Sequence, residues 1–344
     1  MKLKKRPFGV LSDGKKVSLF TVSNGQMSFS ATDYGCTITS IVLGTQDKMP
    51  VDVVLGYSTL EGYVRNPLFF GALIGRYANR IARASFSLDG KEYTLQNNDN
   101  GNCLHGGNPG WHKQLWEADV FKKQNEAGVV FTRISPDGEQ GFPGNCPVRV
   151  IYSLTADNEI VIRYSARSDA PTPFNLTNHT YFNLAGQDSG PILDHRLQLF
   201  CDGYVPVDSI AIPVGGVSPV EGTPFDFRTA KRIGDGIDQV PGGYDHNWAV
   251  NSAGDGALNP VAVLQEPVSG RTLSVYSTQP GVQFYAGNFI DGETGKNGFV
   301  YGNRSGLCLE TQHFPDSPHR PEFPGCILRP DTLYRQKTVW QFTF

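Results

Sequence analysis

Apolar and polar residues alternate in short runs along almost the whole chain, with Gly, Asn, Asp and Pro between the runs. A period of two is the side-chain period of a β-strand. Strands are therefore expected at residues 17–22, 27–32, 36–42 and 52–55, and again at 129–134, 148–154, 159–166, 197–200, 262–265, 273–277, 282–286, 307–311 and 339–344. Between the alternating runs 84–88 and 91–95 stands Asp89-Gly90, the sequence of a type I′ hairpin turn. Helical spacing is confined to short turns near residues 58–63 and 229–237. Strands at this density, punctuated by 39 Gly and 23 Pro, predict an all-β fold: a large antiparallel β-sandwich with a broad, curved sheet. No break in composition divides residues 1–344, so a single domain is expected.

The stretch Asn175-Leu-Thr-Asn-His-Thr-Tyr-Phe-Asn-Leu184 departs from the simple alternation. As a strand it places Leu176, Phe182 and Leu184 on one face, with Asn178 and Thr180 between them. Asn175, Thr177, His179, Tyr181 and Asn183 share the other. That polar face is either a solvated side of a sheet or the floor of a cleft, and Tyr181 with the amides suits a floor better. At its centre, His179 is the side-chain type able to give or take a proton near neutrality.

Composition removes several alternatives. Of 344 residues only 18% are charged and the net charge is −3, so no basic stripe for nucleic acid exists. No apolar run approaches the length of a membrane span, and none follows the basic N-terminus as a signal peptide would require. Six cysteines, Cys36, Cys103, Cys146, Cys201, Cys308 and Cys326, form no C-x-x-C pair, which fits reduced thiols and a cytoplasmic protein. Asn175-Leu-Thr177 and Asn178-His-Thr180 are glycosylation sequons, and a glycan there would block the face proposed as functional. This too argues against a eukaryotic secretory route.

Four further stretches could line a groove with His179. Gly75-Arg-Tyr-Ala-Asn79-Arg80-Ile81 offers several donors for hydroxyls or an oxyanion, although a surface arginine could equally cover apolar area with its stem. Asn102-Cys-Leu-His105-Gly-Gly107 sets a histidine before a flexible glycine pair that would let a ligand approach the backbone. No G-x-S-x-G elbow accompanies it, so serine-hydrolase chemistry is not expected. Gly243-Tyr-Asp245-His-Asn-Trp248 mixes polar groups with an indole, as sugar-binding surfaces do, though turn chemistry alone could account for Gly-Tyr-Asp. In Ser305-Gly-Leu-Cys-Leu-Glu310-Thr-Gln312 an apolar strand runs into a carboxylate, and Cys308 and Gln312 share the side of Glu310. Partial burial there would raise the Glu310 pKa, whereas a surface glutamate would need no such account.

Taken together, these motifs resemble the aldose 1-epimerase, or galactose mutarotase, family. The similarity runs from Gly35-Cys36 to Trp340. It is carried by Gly75 to Ile81, Leu104-His105-Gly-Gly, Asn175 to Phe182, Glu221-Gly-Thr-Pro-Phe-Asp226, Tyr244-Asp245-His-Asn247, Gln279-Pro-Gly-Val-Gln283-Phe-Tyr285 and Cys308 to Gln312. The resemblance implies a galactose mutarotase-like supersandwich with a monosaccharide such as galactose or glucose held on a concave sheet face. It implies His179 as general acid, Glu310 as general base, and Asn79, Arg80, His105, Tyr181, Asp245 and Gln283 as substrate ligands. It implies no cofactor and no metal, and a monomer or homodimer. Trp248 stands where many relatives carry Phe, a departure that removes no reacting group.

Interconversion of anomers breaks the bond between C1 and the ring oxygen, which needs one group to accept the anomeric hydroxyl proton and another to protonate the ring oxygen. A carboxylate and an imidazolium suffice. A non-catalytic carbohydrate-binding protein would not need both. A glycoside hydrolase would use two carboxylates, for which Asp245 and Glu310 are the candidates. A phosphosugar epimerase would need a basic cluster, of which only Arg80 stands in the groove motifs. Two hydrogen bonds to oxygens on one carbon place the tips of His179 and Glu310 roughly 5 to 8 Å apart, with Trp248 or Phe182 expected against the apolar face of the sugar.

Overall fold

The computed structural model describes residues 1–44, 49–252, 254 and 256–344. Three antiparallel sheets dominate. One has five strands, Lys2–Val10, Lys16–Ser23, Met27–Thr32, Thr37–Leu43 and Val51–Asp52, in chain order. The second has nine and runs in space from Glu117–Lys122 through Glu126–Ser135, Cys146–Thr155, Glu159–Ala166, Tyr334–Thr343, Thr272–Ser277, Asn259–Gln265 and Arg196–Leu199 to Lys231–Arg232. The third has six, in the order Tyr181–Phe182, Leu307–Gln312, Gly281–Tyr285, Asp245–Ala249, Gly203–Val205 and Ser218–Pro219.

Period-two burial explains how these sheets stack. Phe20 and Phe29 from the first sheet, Phe131, Tyr152, Ile162 and Trp340 from the second, and Trp248, Phe284, Leu307 and Leu309 from the third belong to one buried apolar cluster. The six-stranded sheet thus turns its even or odd face, strand by strand, to a shared core. Its other face carries Asp245, Gln283, Cys308 and Glu310, and those side chains are left to build a site.

Most expected strands are present with ends shifted by a few residues, and the Asp89-Gly90 hairpin joins Ser85–Leu88 to Lys91–Thr94. Both turn residues have positive φ, 49° and 78°, as a type I′ turn demands. The expected strand at 52–55 contracts to Val51–Asp52, with Val54 making a single bridge to Phe182. Near residues 58–63 and 229–237 lie two short helices, Leu60–Arg65 and Gly234–Ile237. The first strand, Lys2–Val10, was not expected: it is a largely exposed edge, rich in Lys and interrupted by a bulge at Pro7, and so lacks an apolar face.

The stretch 175–184 is not one strand. Thr177–His179 pairs with Ala72–Ile74, whereas Tyr181–Phe182 pairs with Leu307–Gln312 in the six-stranded sheet. The two faces survive the transfer at Thr180. Leu176, Phe182 and Leu184 enter the main core, and every residue from Asn175 to Leu184 is buried. The solvated-face alternative is thereby excluded. Asn175 and Asn183 spend their amides on the carbonyls of Ala78, His313, Gly190 and Ser305, so they brace loops rather than face a ligand.

Candidate active site

A cavity of about 230 Å³ opens where the six-stranded sheet meets the loops around Phe69, Asn79 and His105. Asn79, Arg80, His105, His179, Tyr181, Asp245, Gln283 and Glu310 all line it. Its volume lies below the roughly 300–1,000 Å³ of pockets for drug-sized ligands, which suits a smaller molecule. A larger groove, of about 500 Å³, lies beside Arg133, Arg149 and Arg167 and has no histidine in its lining. It carries no proton-transfer pair.

Sheet register places the sheet-borne members of the site. Gln283 stands opposite Glu310, Asp245 opposite Tyr285, and Tyr181 opposite Cys308. His179, two residues before Tyr181, reaches the same face. Its Nε2 lies 3.6 Å from Glu310 Oε1, and its Nδ1 lies 3.4 Å from Cys308 Sγ. The acid-base pair is closer than the expected 5 to 8 Å because the two groups come from neighbouring strands on one side of the cavity rather than from opposite walls. Gln283 Nε2 donates to Asp245 Oδ1 at 2.7 Å, while Gln283 Oε1 and Glu310 Oε2 are buried without a hydrogen-bond partner. Such orphaned acceptors are costly unless a ligand supplies donors.

The remaining wall comes from two interlocked loops. Leu104 pairs with Arg80, the His105 N–H donates to the Asn79 carbonyl, and the Asn79 N–H donates to His105 Nδ1. With Nδ1 accepting, neutral His105 carries its proton on Nε2. Asn79 and His105 both hold φ near 60° (62° and 53°), a conformation uncommon for side-chain-bearing residues and often found at functional sites. Gly106 serves a backbone rather than a ligand: a Cβ there would lie 2.4 Å from the Gly75 carbonyl oxygen. The expected ligand approach to the glycine pair is thus replaced by close packing of the two loops. Arg80 Nε donates to Asp99 Oδ2 at 2.7 Å, which aims the guanidinium and leaves its other nitrogens available.

Aromatic rings complete the cavity, but the expected Trp248 and Phe182 are not among them. Trp248 is buried in the core with its Nε1–H on the Phe225 carbonyl, and Phe182 packs edge-on against Trp340. Trp248 lies three positions after Asp245 on one strand, so it faces the opposite side of the sheet. Phe69, Tyr285 and Phe289 line the cavity in their place, beside the expected Tyr181. The His179 ring lies nearly parallel to Tyr181 and Phe69, with centroids 5.1 and 5.8 Å away. Phe289, 68% exposed, stands at the mouth.

Burial sets the protonation. It pushes His179 down to about 4 and holds His105 well below the usual histidine range, helped by the neighbouring charge sites of His179 and Arg80. It raises Glu310 well above the usual carboxylate range, reinforced by Asp245 and opposed by Arg80. Between the depressed His179 value and the raised Glu310 value the pair therefore favours a protonated carboxyl and a neutral imidazole, one proton between two groups. This arrangement can donate from one member and accept at the other. Among the described residues, one set of possible metal donors with atoms all within 4.8 Å of one another is His179, Cys308 and Glu310.

The family model for aldose 1-epimerase matches residues 18–341. The mouse galactose mutarotase is 46% identical over 339 residues, covering 98% of this chain and 97% of that protein. The aldose 1-epimerase of Escherichia coli is 40% identical over 338 residues, covering 96% of each. A solved structure of the galactose 1-epimerase from Lactobacillus acidophilus superimposes with a TM-score of 0.86 at 28% identity, covering 99% of this chain and 98% of that one.

Proposed function

The chain belongs to the aldose 1-epimerase family, and we propose that His179 and Glu310 are the acid-base pair with which it interconverts the α and β anomers of a hexose. Its reaction is mutarotation. In ring opening, Glu310 as carboxylate takes the proton of the anomeric hydroxyl, and His179 as imidazolium protonates the ring oxygen as its bond to C1 breaks. The pair then holds its proton on Glu310 with His179 neutral, opposite the free aldehyde. Rotation about C1–C2 presents the other carbonyl face, and closure returns each proton by the reverse path. Each such transfer typically contributes about 10² to 10⁴ in rate.

The 3.6 Å approach of His179 Nε2 to Glu310 Oε1 in a ligand-sized cavity carries this assignment. Burial alone leaves the proton on Glu310, so the cyclic sugar must favour the ionised carboxylate. Sugar hydroxyls donating to the unpartnered Glu310 Oε2, with Arg80 near, supply what solvent does not. Asn79, Arg80, His105, Asp245 and Gln283 bind the hydroxyls. Tyr181, Phe69 and Tyr285 pack against the apolar face. Galactose is the first substrate to test, because relatives sharing over 40% identity are named galactose mutarotases.

The decisive experiment is polarimetry of freshly dissolved α-D-galactose and α-D-glucose with and without the protein. Accelerated approach to the equilibrium rotation is expected, with nitrophenyl-galactoside left intact. Unchanged rotation with cleavage of the galactoside would replace the assignment with glycoside hydrolysis through Asp245 and Glu310.

A further inference from the structure

The face that holds the acid-base pair also holds a thiol that the reaction does not use. Cys308 Sγ lies 3.4 Å from His179 Nδ1, and His179, Cys308 and Glu310 each offer a donor atom within 4.8 Å of the other two. All three side chains are buried, and Glu310 Oε2 has no partner, so the carboxylate is free to turn about its last torsion. Zinc bonds of about 2.3 Å to sulfur and about 2.0–2.1 Å to imidazole nitrogen set the two donors roughly 3.5 Å apart at a near-tetrahedral angle, close to the 3.4 Å between Cys308 Sγ and His179 Nδ1. We propose that His179, Cys308 and Glu310 form an inhibitory site for a thiophilic divalent cation such as Zn²⁺, which occupies the sugar site and excludes the substrate.

The donor set selects the ion. Thiolate, imidazole and one carboxylate suit Zn²⁺ or Cd²⁺, whereas Mg²⁺ and Ca²⁺ take oxygen ligands in larger number. On binding, the Cys308 S–H bond breaks as sulfur donates its electron pair to the metal, and the proton passes to solvent. The neutral His179 ring gives the lone pair of Nδ1, the nitrogen beside Cys308, and keeps its proton on Nε2, so Glu310 turns from Nε2 toward the ion. Glu310 gives a carboxylate oxygen, releasing the proton it held, and the fourth position faces the cavity. No redox change is involved. The metal takes both the base and the acid of the proposed reaction, so inhibition rests on the acid-base assignment, whereas binding of the metal does not.

The test adds ZnCl₂, CdCl₂ or MgCl₂ alone to the purified full chain. Zn²⁺ should lower the mutarotation rate at least about tenfold at a concentration where Mg²⁺ leaves it unchanged, with EDTA restoring it and galactose opposing it. Cd²⁺ should produce an ultraviolet thiolate-to-metal charge-transfer band, suppressed by saturating galactose, lost in Cys308→Ala and Cys308→Ser, and weakened in His179→Asn. Two Cys308 variants guard against a folding failure in either. Absence of the band from the wild type, its persistence in the Cys308 variants, or its indifference to galactose would overturn the site. Metal-free Glu310→Gln with undiminished kcat would instead remove the acid-base assignment, and the cadmium band of the wild type would still report the metal.

Discussion

His179 Nε2 lies 3.6 Å from Glu310 Oε1, and both side chains are buried, so burial rather than bulk water sets their charge. Such a pair titrates as a unit. It takes up a second proton only near the depressed His179 value of about 4, and it gives up its single proton only above the raised Glu310 value.

kcat/KM, which reports the free enzyme, should therefore fall on the acid side only near 4 and hold from there up to the raised Glu310 value. An ordinary histidine would place that fall near 6.5. A rise in kcat/KM as pH falls from 6.5 to 4 would mean that the free enzyme needs His179 charged, contrary to the effect of its burial. Initial rates by polarimetry across pH 4 to 9 decide it, corrected for the buffer-catalysed reaction.

Removing either proton carrier should be severe and specific. His179→Asn and Glu310→Gln each keep similar shape, so each should lose at least about 10² in kcat while sugar binding persists. Circular dichroism and calorimetric titration with galactose separate lost chemistry from lost fold. Wild-type kcat in Glu310→Gln would end its assigned role.

Binding should be lost at other positions. Arg80→Ala removes the donors that Asp99 aims into the cavity, and Asp245→Ala frees the Gln283 amide it now holds at 2.7 Å. Both should raise KM more than they lower kcat. Asp99→Asn should follow Arg80→Ala in direction with a smaller change, since the guanidinium remains but loses its charged anchor. Equal KM in Asp99→Asn and wild type would show that Arg80 needs no such support.

Seven residues of the cavity stand in stretches that the pattern of the chain sets apart, and the eighth, Gln283, was legible only through the family resemblance. His179 sits in a polar face that a core strand does not need, and Glu310 ends an apolar run. Phe69, Tyr285 and Phe289 were not legible, because an aromatic in or beside an apolar run reads as core whichever face it takes. Asp99 was hidden for a different reason: it reaches Arg80 across a loop, and no periodicity governs loops. Trp248 illustrates a signal that was present and not used. Its parity relative to Asp245 already places it on the core face. The division of residues 175–184 between two sheets leaves the period of two intact, so alternation alone could not reveal it.

Chelation should not cost activity. The two proton transfers balance between His179 and Glu310 with no Lewis acid, so dialysis against excess EDTA should leave kcat at or above its starting value. Loss of activity restored by Zn²⁺ would contradict both the acid-base account and the inhibitory metal site.

Stability should fall as the solution is acidified through the ordinary histidine range. Burial lowers the pKa of His105, His112, His179, His195, His246 and His313, to about 3 for His112 and about 4 for His179, His195 and His313. Three of these rings use a nitrogen as acceptor: His105 Nδ1 from the Asn79 N–H, His195 Nε2 from the Leu184 N–H, and His246 Nδ1 from the Asp245 N–H. Protonation would turn each acceptor into a donor facing a donor. Below about pH 6.5 the unfolded chain binds these protons, while the folded chain refuses them until about 4. With more protons on the unfolded chain, unfolding becomes more favourable as pH falls, by up to about 1.4 kcal/mol per pH unit for each histidine in that window. Glu310 and Asp33 act with the opposite sign, since their raised pKa values make the folded state the better proton acceptor above the ordinary carboxylate range, but they are two groups against six. The urea midpoint should therefore drop between pH 6.5 and 4. His195→Gln, whose amide oxygen can still accept from Leu184, should reduce that slope by about one proton. A flat midpoint across this range would mean that the buried rings gain protons in the folded chain as readily as in the unfolded one.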